Sequence, residues 1–359
     1  MRDLILIVNP GSTSTKFGVY SMGKSTCVFE KEIDHPKEEL EKFDGLIAQK
    51  SFRKDLVLES VKKNGYALDD VAAVVGRGGL LNPKEGGVYR VSEAMLNDLS
   101  SFKYGVHASN LGAIIANEIA LELKVDSFIA DPVTVKEFEP YAYVTGLKGT
   151  VRKCRAHVLN LRQVGRMLAE KIGKPFTATA FIGVHLGGGL TVAALRNGRF
   201  IDVNNALLGE GPFSPERTGT MPSEDIIDMS FSGQYTKEEL KKLLTKKAGL
   251  ISYLGTSDFR EIQKRYEAGD EDAKFYTGAF AYRIAKTIGE MATVFSGKVD
   301  GIYITGGIAR AKFLMDMITE RVSFIAPVHL FPGQYEMTAL GRNVHMALKK
   351  EIPINEYDG

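Results

Sequence analysis

The sequence predicts an α/β protein built as two domains, and three observations carry that prediction. A chain of 359 residues is longer than one ordinary core accommodates. Short apolar runs bounded by glycine, proline and asparagine read as buried strands, and they are interleaved with helical periodicities. Finally, one pattern of strand, turn, strand, turn, strand occurs near residue 3 and again near residue 180. The two copies share the pattern and not the letters.

The composition narrows the class. Hydrophobic residues make up 44% and charged residues 25%, which suits a folded chain with a solvated surface. A net charge of +2 gives no reason to expect a nucleic-acid or membrane partner. Cys27 and Cys154 have no metal-type spacing, so reduced thiols and a cytoplasmic location are expected. The start lacks a signal-peptide pattern, and no apolar run is long enough to span a bilayer.

The chain opens on its most informative stretch. Leu4 to Val8 is an unbroken apolar run, suited to a strand buried on both faces. Asn9-Pro10-Gly11 stops it, Ser12 to Thr15 supplies four hydroxyls, Lys16 adds a positive charge, and Phe17 to Tyr20 returns to strand. Hydroxyls and amides donating to phosphate oxygens, with a lysine offsetting charge, can hold a polyphosphate. A surface hairpin with ordinary turn residues fits the same letters.

Thr26 to Ile33 reads as a third strand and 36–45 as polar linker. A helix follows around Arg53 to Asn64, with Leu56, Val57 and Val61 on one face and Gly65 placed to end it. Val71 to Gly76 is a buried strand running into the loop Arg77-Gly78-Gly79-Leu80-Leu81-Asn82-Pro83. Ligands collect at the carboxyl ends of strands in α/β sheets, so Arg77 is a candidate, and a surface arginine on a glycine loop is an equal reading. Ser92 to Leu99 and Ser109 to Leu123 read as helices, Ser109 as an N-cap, and His107 precedes the second. Val125 to Ala130 is a strand ended by Asp131-Pro132; Asp131 is either a common Asp-Pro turn or an acid placed for Mg²⁺ or water. Tyr141 to Thr150 is irregular. Arg152 to Ile172 reads as one long helix with a solvated basic face carrying Arg152, Arg155, His157, Arg162 and Arg166.

The opening pattern then recurs. Phe181 to Leu186, Gly187-Gly188-Gly189, Leu190 to Leu195, the Asn197-Gly198 turn and Phe200 to Val203 follow in order. Three glycines let backbone amides face a phosphate. Gly209 to Pro222 is a long Gly/Pro loop containing Arg217, and long loops in compact domains are usually functional. Helices are expected at Glu224–Phe231, Lys237–Lys246, Asp258–Ala268 and Asp272–Phe295. Lysines 241, 242, 246 and 247 read as a solvated face, and Phe280 to Phe295 as an apolar face for a partner. Asp300 to Thr305 is a strand ending in Gly306-Gly307-Ile308, where close approach of a base or ribose is possible. Val328 to Phe331 is the last expected strand. The final helix, Tyr335 to Lys349, opens on Glu336, a first-turn acid that the helix dipole favours.

Asn9 to Lys16, Gly76-Arg77-Gly78-Gly79, His107, Asp131-Pro132, His157, His185 to Gly189, Arg217-Thr218-Gly219, Thr305-Gly306-Gly307 and Glu336 stand in one order. Over essentially its whole length the chain resembles the acetokinase family, and within it the butyrate kinases; the wider group is the acetate and sugar kinase, heat-shock chaperone and actin superfamily. The resemblance implies a duplicated actin-like (ribonuclease H-like) fold with a nucleotide in the cleft between two domains. It places the domains at 1–155 and 156–340, with the C-terminal helix 341–359 packed on the first. It implies ATP and ADP with Mg²⁺, a small carboxylate as second substrate, and a homodimer or larger homo-oligomer. By residue, it assigns Asn9, Asp131 and Glu336 to the metal. Arg77 and Arg217 are the two active-site arginines, and His157 contacts the transferred phosphoryl group. Arg77, Gly78, Gly79 and His107 line the substrate site. Ser12, Ser14 and Lys16 form the first phosphate loop, His185, Gly187, Gly188 and Gly189 the second, and Gly306, Gly307 and Ile308 the adenosine loop.

Three departures stand out. Acetate kinases follow the first arginine with Val-Val-His, whereas Gly78-Gly79-Leu80 stands here, an expected enlargement of the acyl pocket that favours butanoate or a branched acid. The second histidine of the His-Gly-Thr-Ser-His pattern is absent, the stretch being His157-Val158-Leu159-Asn160-Leu161. Gly188 replaces an expected asparagine. An acetate or propionate kinase is the neighbouring alternative, and a non-catalytic ATP-dependent switch the remote one.

Overall fold

The computed structural model describes residues 2–359. In chain order the elements are β1 (Leu4–Pro10), β2 (Ser14–Ser21), β3 (Thr26–Asp34), α1 (Lys37–Leu40), α2 (Lys50–Lys63), β4 (Val71–Arg77) and β5 (Val88–Arg90). Then come α3 (Glu93–Ser100), α4 (Asn110–Leu123), β6 (Asp126–Ala130), α5 (Val158–Ile172), β7 (Ala180–Leu186), β8 (Leu190–Arg196) and β9 (Arg199–Val203). Helices α6 (Ser223–Phe231), α7 (Lys237–Lys246), α8 (Leu250–Leu254), α9 (Phe259–Glu267) and α10 (Glu271–Thr293) follow. The chain ends with β10 (Gly301–Gly306), α11 (Lys312–Val322), β11 (Val328–Pro332), α12 (Glu336–Leu348) and β12 (Ile354–Asn355).

Two compact units result: Met1–Lys136 with Tyr335–Gly359, and Glu137–Gln334. The divisions at 155/156 and 340/341 expected from the sequence differ from these. The reason at the first is an ion pair that spacing does not announce. Glu137 accepts from Arg162 Nη2 at 2.6 Å and from the Phe200 amide at 2.8 Å, which ties it to the second unit from its first residue.

The first unit is a seven-stranded sheet, β12-β5-β6-β4-β1-β2-β3. The hairpins β1–β2 and β2–β3 are antiparallel, and β1, β4 and β6 run parallel, so Pro10, Arg77 and Ala130 end at one edge. Leu6, Val8, Phe17, Val19 and Val74 pack with Val57 and Val61 of α2 and Leu111 and Ile115 of α4. On the opposite face α12 crosses the sheet, with Gly341 against the Tyr20 ring and Met337 over Gly18. Strand β12 was not foreseen; two residues leave no period to read.

The second unit is a five-stranded sheet, β11-β10-β7-β8-β9. The first three strands run parallel, and β7, β8 and β9 form antiparallel hairpins. The β8–β9 turn has positive φ at both Asn197 (54°) and Gly198 (79°), the twist-matched two-residue turn the Asn-Gly pair predicts. The apolar run 280–295, expected to face a partner, instead fills the core: Phe280, Ile284 and Ile288 pack with Ile182, Val184 and Val192.

The long basic helix also begins six residues later than expected, at Val158. Arg152 is the reason. Its guanidinium pairs with Asp202 (2.8 Å) and Glu210 (3.0 Å) and donates to the Ala142 and Val203 carbonyls. Arg162 is buried on Glu137 and on the Gly198 carbonyl at 2.8 Å. These are internal ties rather than a solvated face. Among the described residues no helix is long and apolar enough to cross a membrane.

Candidate active site

In the first unit Asn9, Arg77 and Asp131 lie at the carboxyl edge of β1, β4 and β6. Asn9 and Arg77 come from adjacent parallel strands, and Arg77 Nη1 donates to Asn9 Oδ1 at 3.4 Å. The edge is built by backbone pressed on backbone. A Cβ at Gly76 would lie 2.1 Å from the Gly112 carbonyl oxygen, and one at Gly112 would lie 2.3 Å from that of Arg77. Only glycine on both elements lets α4 seat this closely beneath Arg77.

Gly78 and Gly79 serve the same closeness. The space at Gly78 is occupied by Pro132 and Ile129, and that at Gly79 by Asn110 and Leu99, whose atoms lie 2.7 Å from the position of a Cβ. Neither missing side chain opens a void, so the enlarged acyl pocket expected there is not explained by these two positions. Asn110 joins the loops: its Oδ1 accepts from Leu80 N–H at 2.9 Å and its Nδ2 donates to the Gly105 carbonyl at 2.9 Å. His107 stands exposed in the second of these loops. Ser109 N–H donates to its Nδ1 at 3.2 Å, so the proton of the neutral ring sits on Nε2. Ser109 thus orients His107 instead of capping α4 with its hydroxyl.

Asp131 is buried with φ +44°. One carboxylate oxygen accepts from Gly87 N–H at 3.0 Å and the other from Asn343 Nδ2 at 3.1 Å. Each oxygen holds one protein donor and has a second lone pair, so Asp131 keeps acceptor capacity for a cation or its water. Glu336 differs: it is 8% exposed, opens α12, and has no hydrogen-bond or ionic partner among the described residues. Asn9, Asp131 and Glu336 are oxygen donors of the kind a hard cation takes, and few carboxylates suffice when phosphate oxygens and water complete its shell. Among the described residues no group of three or more His, Cys, Asp or Glu is arranged to hold a metal ion.

In the first turn, Lys16 pairs with Glu30 at 2.5 Å and Ser14 Oγ donates to Glu32 Oε1 at 2.7 Å. Both groups expected to meet phosphate are engaged with acids on β3. Ser12 stays exposed. A residue the sequence reading passed over lies beneath: Arg53, fully buried, donates to the Gly11 and Ser14 carbonyls. It stands four residues before Val57, on the helix face already identified as buried, and that was its legible signal.

In the second unit the candidates surround Gly187-Gly188-Gly189. His157 immediately precedes α5; its Nδ1 lies 2.8 Å from Thr191 Oγ1 on β8. Its ring stacks on His185, centroids 3.9 Å apart at 11°. Asn160 Nδ2 donates to His185 Nδ1 at 2.8 Å, so His185 Nε2 carries the neutral ring's proton. Arg217 closes the group: a Cβ at Gly189 would lie 2.6 Å from Arg217 Nη1 and 3.2 Å from His157 Cε1. Both side chains thus rest on one glycine. Arg217 donates to the Ala206 carbonyl at 2.5 Å and lies 3.7 Å from Glu216, and burial lowers its pKa. Ser214 Oγ holds the Gly188 carbonyl at 2.7 Å. Lys246, expected to be merely solvated, reaches Glu216 at 2.8 Å.

At the adenosine-loop candidates, Gly306 has φ +96° and its Cβ position lies 2.1 Å from the Leu186 carbonyl oxygen. Ile308 is buried, while Gly307 faces open space with nothing within 4 Å.

The sequence profile of the acetokinase family matches residues 139–326. Among solved structures, the chain is similar to an acetate kinase from Porphyromonas gingivalis, with TM-score 0.78, 20% identity and coverage of 95% of this chain and 99% of that one. A propionate kinase from Francisella tularensis gives TM-score 0.74, 17% identity and coverage of 95% and 98%. An acetate kinase from Entamoeba histolytica gives 0.71, 19%, and 94% and 97%. These likenesses establish the α/β fold of the chain.

Proposed function

Because the chain belongs to the acetokinase family of carboxylate kinases, we propose that it transfers the γ-phosphoryl group of ATP reversibly to butanoate or a branched short-chain acid. The products are the acyl phosphate and ADP. The observation that carries the reading is the convergence of Arg217, His157 and His185 on the glycine turn of the second unit.

The acceptor carboxylate is ionised at neutral pH and needs no general base. The obstacle is an anion approaching an anion. Arg77 would grip the carboxylate, and its partner Asn9 would orient it. Arg217, held from behind by Ala206, would donate to the equatorial oxygens of the transferring group. Thr191 fixes the ring of His157, which presents a second donor to the same oxygens. Positioning and charge stabilisation of this kind require no covalent phospho-enzyme. Asn9, Asp131 and Glu336 would hold Mg²⁺, which supplies charge neutralisation on the phosphates. The turn Ser12–Thr13 and Gly187–Gly189 would receive the phosphate chain, and Gly307 the adenosine.

A second reading, acetate or propionate as acceptor, is favoured by one observation. The space beside Gly78 and Gly79 is already filled by Pro132, Ile129, Asn110 and Leu99. An acyl-phosphate trap decides between them. The protein with Mg·ATP, hydroxylamine and one acid at a time, from acetate to valerate plus isobutyrate, is scored by hydroxamate. A maximum at butyrate or isobutyrate supports the first reading. A maximum at acetate or propionate transfers the assignment to the second, and no hydroxamate with any acid refutes both.

A further inference from the structure

The turn Gly11–Thr15 is shaped by a buried cation. Arg53, 0% exposed, donates through Nη1 to the Gly11 carbonyl at 2.9 Å, the Ser14 carbonyl at 2.8 Å and Thr15 Oγ1 at 3.0 Å. Its Nη2 reaches the Ser12 carbonyl at 3.4 Å, and Gln49 Oε1 accepts from Nε and Nη2 at 3.2 and 2.9 Å. Every one of these acceptors is neutral, and among the described residues no carboxylate pairs with Arg53. On the far side of Thr15, His35 Nε2 lies 2.8 Å from the hydroxyl, and the His35 amide takes the Thr13 carbonyl at 2.7 Å. Arg53 can only donate, so the Thr15 hydroxyl is free to donate onward to a neutral His35.

The consequence is a division of the turn. Its carbonyls at Gly11, Ser12, Thr13 and Ser14 are drawn inward. The N–H groups of Ser12 and Thr13 have no protein acceptor among the described residues, and both side chains are exposed. Amides left outward with a net positive charge beneath them form a receptor for an anion. The charge also remains uncompensated: burial alone lowers the Arg53 pKa to about 10, and the guanidinium stays protonated at neutral pH.

We infer that Arg53 is a positioning residue for polyphosphate: it turns the Gly11, Ser12 and Ser14 carbonyls away from the ligand and holds an unneutralised cation under the Ser12–Thr13 amides. The inference rests on the kinase reading above for the identity of the phosphate donor. It assigns Arg53 to the nucleotide and not to the carboxylate.

The test compares wild type, Arg53→Met and Arg53→Lys, each checked for folding by circular dichroism. Inorganic tripolyphosphate binding, KM for ATP and KM for the carboxylate are measured. For Arg53→Met, tripolyphosphate affinity should fall, and KM for ATP rise, by about tenfold or more, the scale of one hydrogen bond to a charged group. KM for the acid should stay within about twofold, since a general loosening would move both. Arg53→Lys keeps the charge but cannot span three acceptors, and should recover only part of the loss. Should the Met variant fail to fold, wild-type tripolyphosphate affinity in the Lys variant overturns the inference, as does an equal rise in both KM values. Tripolyphosphate binding that depends on Arg53 in a protein making no acyl phosphate refutes the kinase reading and keeps the inference. Acyl phosphate formation indifferent to Arg53 does the reverse.

Discussion

The two glycine-bearing hairpin turns share a backbone plan and solve opposite problems. Gly11–Thr15 joins β1 to β2, and Gly187–Gly189 joins β7 to β8, each antiparallel and each followed by a third antiparallel strand. The first carries its own hydroxyls and takes its positive charge from below, where Arg53 is buried. The second carries no side chains, so His157 and Arg217 lie directly over it. In the first turn charge acts through the backbone; in the second it meets the ligand side chain to side chain. Substitutions in the second turn should therefore strike turnover, and those in the first should strike nucleotide binding.

The largest effect is expected at Arg217. Arg217→Ala should lower kcat by on the order of 10³-fold, the scale of a charge-stabilising arginine in phosphoryl transfer, with ATP affinity largely kept. A variant retaining most of its kcat would remove Arg217 from the mechanism. Gly189→Ala comes next. Its methyl would sit 2.6 Å from Arg217 Nη1, and a displacement near 1 Å costs about 10²-fold in rate. Its counterpart Ser12→Ala, at an exposed position, should change KM for ATP by less than about tenfold and leave kcat alone. Equal kinetic signatures for these two would erase the contrast between the turns.

Smaller effects concern packing beneath the first unit's edge. Gly79→Val must displace Asn110 and Leu99 and should cost about 1–3 kcal/mol by urea denaturation. Gly307→Ala, in open space with φ −65°, should leave stability unchanged.

The smallest concerns pH. Burial first, and then Arg53, lower the His35 pKa, while Glu39 and Asp34 oppose them. The unfolded chain therefore binds a proton at His35 before the native state does. His35 contributes stability above the unfolded value of about 6.5, and that stability is lost as pH falls below it. Denaturation midpoints at pH 7.5 and 5.5 should differ in that sense, and by less in His35→Gln. A midpoint that rises on acidification would contradict this account.

Elements with a strong period or a turn signature were legible from the residues alone. The strands β1, β2, β7 and β8, the Asn197-Gly198 turn and the helix α7 stand where apolar runs and turn chemistry put them. The same holds for Arg77 at the end of β4 and Asp131 just after β6, because strand ends are local features. What remained hidden was long-range. Arg53 bonds carbonyls about forty positions away, and Arg152 trades helix for contacts with Asp202 and Glu210. His157, at the start of α5, finds its stacking partner on strand β7. Gly78 and Gly79 read as space, yet Pro132 and Asn110 fill it. Local pattern sets what a segment can become, since hydrophobic period and backbone freedom are properties of neighbours in sequence. Which carbonyl a buried arginine meets, or which atom occupies the place of a missing side chain, depends on segments brought together only by folding, and the tertiary structure alone decides it.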